Sequence, residues 1–176
     1  KFINFSTPEV YGNNNRWIKE NINFNPTTPY AISRSAFDQY LLLLNKFKKF
    51  PVIFTRASNV YGPSQKLYRI IPKLIMQIKK KQIFNLHGNG KSKRSFIHID
   101  DVSDALLILS KKGKIGETYH ISTDRIITIK NISKIICKEM KVEFKKFVKS
   151  SKERRGKDHA YMLDAKKISR KLGWKP

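Results

Sequence analysis

Two rhythms of apolar and polar positions alternate along the chain. Residues 2–5 alternate loosely as a strand and run into Ser6-Thr7-Pro8, a strand-ending turn. A polar loop from Asn13 leads to Pro29. Ala31, Ala36, Tyr40, Leu43, Leu44 and Phe47 then recur at helical spacing, which predicts a helix over 30–50 that Pro51 stops. Residues 52–55 form a compact apolar run, read as a buried strand, and 59–63 a turn. A basic amphipathic helix follows over 70–80, then a strand over 82–86, a tight turn at 87–90 and a strand over 96–99. Asp100 is the expected N-cap of a helix over 102–111, with Asp101 and Asp104 in its first turn. A strand over 116–122, a helix over 129–140 and a strand over 144–148 follow. Asp164 caps a last helix, which Gly173 ends. Strands alternating with helices predict an α/β fold. The eight glycines are scattered, and no Gly-rich strand-turn-helix of the G-x-x-G-x-x-G kind occurs.

Composition narrows the class. The chain has 176 residues, enough for one domain with a core or a small domain plus part of another. Its 40% apolar content, with 11 Phe, 7 Tyr and 2 Trp, excludes a disordered basic tail. The formal net charge is +24, but the lysines are spread along the whole chain. That charge fits a generally basic solvated surface or an anion-binding field, and a phosphate-bearing small substrate would use such a field as well as a polynucleotide. The single cysteine, Cys137, excludes an internal disulfide framework and a Cys-rich zinc site. No apolar run approaches the roughly 18 residues of a membrane span. Residues 1–6 read as a strand rather than a leader. An intracellular, cytoplasmic protein without a metal site is expected.

Five constellations carry candidate chemistry. Ser6-Thr7-Pro8-Glu9-Val10-Tyr11-Gly12 sits at the carboxyl end of a strand, the edge where open parallel sheets bind ligands. Tyr30 and Arg34 are spaced i, i+4 near a helix start, so a cation lies beside a phenol and favours its ionised form. Residues 56–63, Arg-Ala-Ser-Asn-Val-Tyr-Gly-Pro, again follow a buried strand. Residues 88–98 form a basic turn feeding a strand, and residues 153–158 a dense basic loop. Arginines on such loops can grip phosphate oxygens in pairs of hydrogen bonds. Taken singly, each reads more readily as a surface turn, a helix-surface pair or a solvated charge run.

The order and spacing of the five together resemble the extended short-chain dehydrogenase/reductase family, closest to its dTDP-glucose 4,6-dehydratase branch. S-T-x-E-V-Y-G, P-Y-x-x-S, T-R-x-S-N-x-Y-G-P, G-x-G-x-x-x-R-x-F-I-H, E-T-Y, R-x-G-x-D and L-G-W-x-P run in sequence from Ser6 to Pro176. The resemblance implies the second half of a Rossmann-type doubly wound parallel sheet plus a smaller mixed α/β substrate-binding domain. Residues 1–63 would belong to the NAD-binding domain, whose Gly-rich first half this chain lacks. Residues 64–176 would mainly bind the nucleotide sugar, with about 96–124 partly returning to the Rossmann domain. Thr7 would hydrogen-bond the hexose 4-hydroxyl, and Tyr30, with Arg34 beside it, would take its proton as NAD accepts hydride. Glu9 would then remove the C5 proton while water leaves C6. Ser58 would contact the nicotinamide, and Asn59, Arg69, Arg94, His120 and Arg154 would line the nucleotide-diphosphate pocket.

Two positions depart from the family pattern. Pro8 stands where the branch usually has an Asp, and Arg34 stands where the family has the Lys of Y-x-x-x-K. The presence of Glu9 favours a dehydratase or decarboxylase over a 4-epimerase, and the R-x-G-x-D loop favours dTDP-sugars. A non-catalytic basic nucleotide-binding relative is the alternative from another class. A dTDP-hexose substrate and a homodimer are the expected partners; nucleic acid is not.

Overall fold

A computed structural model describes residues 1–13, 16–152, 160 and 162–176. Three parallel strands form the main sheet: β1 (Phe2–Ser6), β2 (Val52–Ala57) and, further along the chain, Thr118–Ile121, in the order first, central, last. β1 pairs with β2 from Phe2 opposite Val52 to Ser6 opposite Arg56. All six residues of β2 are buried, as expected of a central parallel strand covered on both faces. The link from β1 to β2 is the helix α1 (Pro29–Lys48). Val52 and Phe54 pack against Leu41 of α1. Ile53 and Ala57, one residue out of phase, point the other way. They join Tyr119, Ile121 and the helix Ile99–Lys112 in the largest core.

The remaining elements are β3 (Asn59–Tyr61), α2 (Ile70–Lys79), β4 (Phe84–His87), β5 (Lys93–Arg94), β6 (Phe96–His98), α3 (Ile99–Lys112), β7 (Thr118–Ile121), β8 (Ile127–Thr128), α4 (Ile129–Glu139), α5 (Phe144–Phe147), β9 (Val148–Ser151) and α6 (Lys166–Leu172). A second core joins Leu74 and Ile78 of α2, Phe84 and Leu86 of β4, Ile136 and Cys137 of α4, and Val148 of β9. Ile168 of α6 and Trp174 return to the first core. The arrangement is α/β with parallel strands and helices on both faces of the main sheet, as predicted. Among the described residues, no helix is long and apolar enough to cross a membrane.

Several boundaries differ from expectation. α1 begins at Pro29 because the Thr28 side chain accepts the N–H of Ala31 at 3.1 Å. It ends before Pro51, at Lys49, which takes the left-handed conformation (φ 56°) that closes many helices. Residues 59–61 are not a turn but a strand, because Asn59 to Tyr61 pair in parallel with Phe96 to His98. His98, not Asp100, caps α3: its ring accepts the N–H of Asp100 at 3.3 Å. The expected strand at 144–148 is a helical turn followed by a strand. Asp164 lies one residue outside the α6 cap, yet its side chain accepts the N–H of Lys166 at 2.8 Å.

Candidate functional site

The carboxyl ends of β1 and β2 meet the start of α1, and half of the expected site residues, Thr7, Glu9, Tyr30, Arg34 and Ser58, stand on or directly after these elements. Beyond Ser6 the chain turns into a short 3-10 helix, Pro8–Tyr11, packed against α1. Thr7, 7% exposed, caps it by accepting the N–H of Glu9 at 3.3 Å. Its hydroxyl proton is left to donate elsewhere. Gly12 closes this turn at φ 71°, and a Cβ there would sit 2.2 Å from the carbonyl oxygen of Asn25. Only glycine therefore lets residues 7–12 pack under the following loop. Glu9 is half-buried beside it.

Tyr30 stands in the first turn of α1 and is 55% exposed, with its phenol free to meet a ligand. One turn on, the Arg34 guanidinium donates from Nη2 to the carbonyl of Phe5, so the cation is tied to the carboxyl end of β1. Ser58 follows β2, and its N–H donates to Ile121 at 3.0 Å. Arg34 Nε and Ser58 Oγ are both buried without a hydrogen-bond partner. Buried polar atoms without partners cost free energy unless a ligand supplies the missing bond. An amide or ribose hydroxyl, such as a nicotinamide cofactor carries, would satisfy both atoms. No loop among the eight glycines matches the pyrophosphate-binding turn.

Beneath this edge lies a charged group that sequence reasoning missed. Asp38 of α1 is fully buried and accepts from three side chains: Arg56 at 2.7 Å, Ser6 at 2.8 Å and Asn4 at 2.5 Å. Arg56, also buried, lies under the rings of Tyr11 and Phe24, with its guanidinium carbon 5.0 and 5.2 Å from their centres. Together they tie α1, β1, β2 and the 3-10 turn to one another. The signal was present in the helix: Ala31, Ser35 and Asp38, spaced four and three apart, are its buried face. That face is small and polar, so an apolar periodicity does not reveal it.

The expected nucleotide-pocket residues stand on other elements. Asn59 opens β3 and donates its N–H to the Ser95 carbonyl. Arg69 is exposed at the start of α2 and lies against the Tyr68 ring, 5.4 Å from its centre. Arg94 is 8% exposed, and its Nη1 donates to the Lys93 carbonyl at 2.7 Å. Arg154 lies outside the described residues. His120 is 0% exposed. Its Nδ1–H donates to the Asp164 carbonyl at 3.2 Å, and Nε2 accepts from the Tyr11 hydroxyl at 2.9 Å. Burial, with Arg56 nearby, holds its pKa down to about 3, so it is a neutral brace. Burial also raises the Tyr11 phenol and the Glu20 carboxyl above their ordinary ranges.

A parallel sheet with helices on both faces and polar groups unpartnered at its carboxyl edge defines the class of Rossmann-type nucleotide-binding enzymes. The sequence profile described as the NAD dependent epimerase/dehydratase family matches residues 1–122, and the chain belongs to that family. It is 36% identical to the dTDP-D-glucose 4,6-dehydratase of Homo sapiens over 182 residues, all of this chain and 52% of that one. Its fold superimposes on the dTDP-glucose 4,6-dehydratase of Streptomyces venezuelae, solved with NAD and TYD bound. The TM-score is 0.94 at 29% identity, over 99% of this chain and 54% of that one. The UDP-glucuronic acid 4-epimerase of Bacillus cereus, solved with UDP-glucuronic acid and NAD, gives 0.93 at 25% identity, over 99% and 56%. The chain spans about half the length of the dehydratases it matches.

Proposed function

We propose that this chain carries the proton-transfer groups of an NAD-dependent nucleotide-sugar 4,6-dehydratase acting on a dTDP-hexose, working as a homodimer. The observation that carries this reading is the meeting of Thr7, Glu9, Arg34 and Ser58 with the start of α1 at one sheet edge. NAD, when bound, supplies the hydride acceptor and later the hydride donor. Thr7 donates its remaining proton to the hexose 4-hydroxyl and orients it. Tyr30 takes the 4-hydroxyl proton as C4 is oxidised to a ketone. The ketone acidifies the C5 proton, which brings it within reach of a carboxylate base. Glu9 removes that proton, and the 6-hydroxyl leaves as water. Pro8 cannot protonate that leaving group, so the protonated Glu9 or a water at the turn serves as the acid. Arg34, held by Phe5, fixes a positive charge beside the reacting oxygen. Asn59, Arg69, Arg94 and Arg154 are assigned to the nucleotide diphosphate.

The test is turnover of dTDP-glucose with NAD by the intact protein, followed by mass spectrometry. Loss of one water with a new ketone supports the dehydratase. An unchanged mass with inversion at C4 replaces it by the 4-epimerase reading. Within a dehydratase, Glu9→Gln allows oxidation but blocks elimination, so NADH absorbance persists after substrate is added. Tyr30→Phe gives no such absorbance, because a mutation acts on the step whose transition state uses the residue. The same silent trace from both would reject the assignment of two steps to two residues.

A further inference from the structure

β5 is two residues long, and its side chains point to opposite faces. Arg94 turns to the buried face. Lys93 is exposed on the other. β8 runs antiparallel with Thr128 opposite Lys93, and Ala160 bridges to Lys93 from the other side. Residues in direct register share a face, so Lys93, Thr128 and Ala160 point the same way. Lys91, Ile126 and Met162, each two residues from one of these, line the same space. Together they border a cavity of about 620 Å³, whose wall Asn131 completes from the first turn of α4. That volume is in the range of small-molecule sites, roughly 300–1,000 Å³.

The lining has a definite chemistry. Lys93 on β5 and Lys91, which closes the turn before it, both line the cavity. No carboxylate is among the described lining residues. The Thr128 hydroxyl accepts the N–H of Asn131 at 3.1 Å and keeps its own proton to donate. Ile126 and Met162 offer an apolar wall. We propose that this cavity binds a small phosphorylated molecule of nucleotide size, its phosphate between the two lysines and its organic body on Ile126 and Met162. The site lies on the reverse face of the strand from Arg94 and apart from the Thr7–Ser58 edge. It is a second site, and it stands or falls independently of the dehydratase reading.

The probe is uridine monophosphate, with uridine as the uncharged control, titrated into ¹⁵N-labelled protein. The amides of residues 91–93 and 126–131 are expected to shift and saturate with the monophosphate, and uridine to bind at least tenfold more weakly. Lys91→Gln with Lys93→Gln, both at exposed positions, should raise the dissociation constant at least tenfold. Asn131→Phe should fill the cavity and abolish the shifts while the rest of the spectrum stays folded. Shifts centred on the amides of Asn59, Arg69 and Arg94 that survive the lysine double variant, shifts confined to Thr7, Glu9 and Ser58, equal binding of uridine, or no saturable shift would overturn the proposal.

Discussion

Asp38 and Arg56 show how single residues hold the proposed site in shape. A buried ion pair adds little net stability, because desolvation cancels most of the attraction, but losing one partner strands the other charge. Asp38→Ala would strand Arg56, whose Nε and Nη1 already lack partners, and would free Ser6 and Asn4. The expected loss is about 3–5 kcal/mol, measured by urea unfolding. The paired change Asp38→Leu with Arg56→Met should recover much of it. His120 sets the response to acid. Its folded pKa, about 3, lies below the ordinary 6.5, so between the two the unfolded chain binds a proton that the native chain refuses. Stability therefore falls as pH drops from about 6.5 to about 3, each pKa unit counting for about 1.4 kcal/mol. Glu117 adds a second, lower window. Its carboxyl opposes burial through hydrogen bonds from Lys171 and Lys167, which hold its pKa at about 2. The stability from that network is present above about 4.5 and is lost as pH falls toward about 2. His120→Gln should flatten the unfolding midpoint between pH 7 and 4.5, and Glu117→Gln should lower the midpoint above about pH 4.5 and flatten its fall below that.

Elements that declare themselves by local rules were legible, and elements made by distant partners were not. α1 could be read from its periodicity, β2 from its apolar run, and the end of α6 from Gly173, which is left-handed at φ 73°. β3 has no local strand signal, because its hydrogen bonds come from residues almost forty positions away. The 144–148 segment misleads because its aromatics can be read as strand positions. Phe144 and Phe147 are in fact spaced three apart, and both pack on the second core, which one helical turn allows. At the proposed site, the Thr7–Glu9 turn and the Tyr30 helix were legible as motifs at a sheet edge. The Asp38 network was not, because a polar helix face leaves no apolar pattern. The burial of His120 was not legible either, because the groups that enclose it, Tyr11 and Asp164, are distant in sequence. Thr28 tests an element boundary directly. Thr28→Ala removes the cap of α1 and should cost about 1 kcal/mol. Because Tyr30 stands two residues inside that cap, the same change should slow the oxidation step while the dissociation constant for dTDP stays within twofold.

Among the described residues, an extended apolar surface feature lies on the outer side of α1. The helix buries Ala31, Ser35, Asp38 and Leu41, yet Ile32, Tyr40, Leu43 and Phe47 lie exposed on the far side, with Phe37 at the margin. Phe47 is 68% exposed. Ile32, Ala36, Tyr40, Leu43 and Phe47 run four, four, three and four residues apart, a continuous stripe along the helix. Large side chains of this kind, about half exposed, offer on the order of 500 Å², a substantial part of the roughly 800 Å² per partner of a stable interface. Scattered apolar residues on a surface need no partner, but a contiguous stripe does. A second copy is the occupant the proposed homodimer requires, and a twofold axis would lay the stripe against itself. The surrounding charge of +24 opposes association at low salt, so added salt should tighten the dimer rather than loosen it. Tyr40→Asp with Phe47→Asp places like charges in the centre of that contact while touching nothing buried. Sedimentation of the intact protein should then show a dimer for the parent chain and a monomer for the double variant, with unfolding, measured at dilutions where both are monomers, unchanged to within about 0.5 kcal/mol. A parent chain that sediments as a monomer at high salt, or a variant that still dimerises, would assign the stripe to another partner.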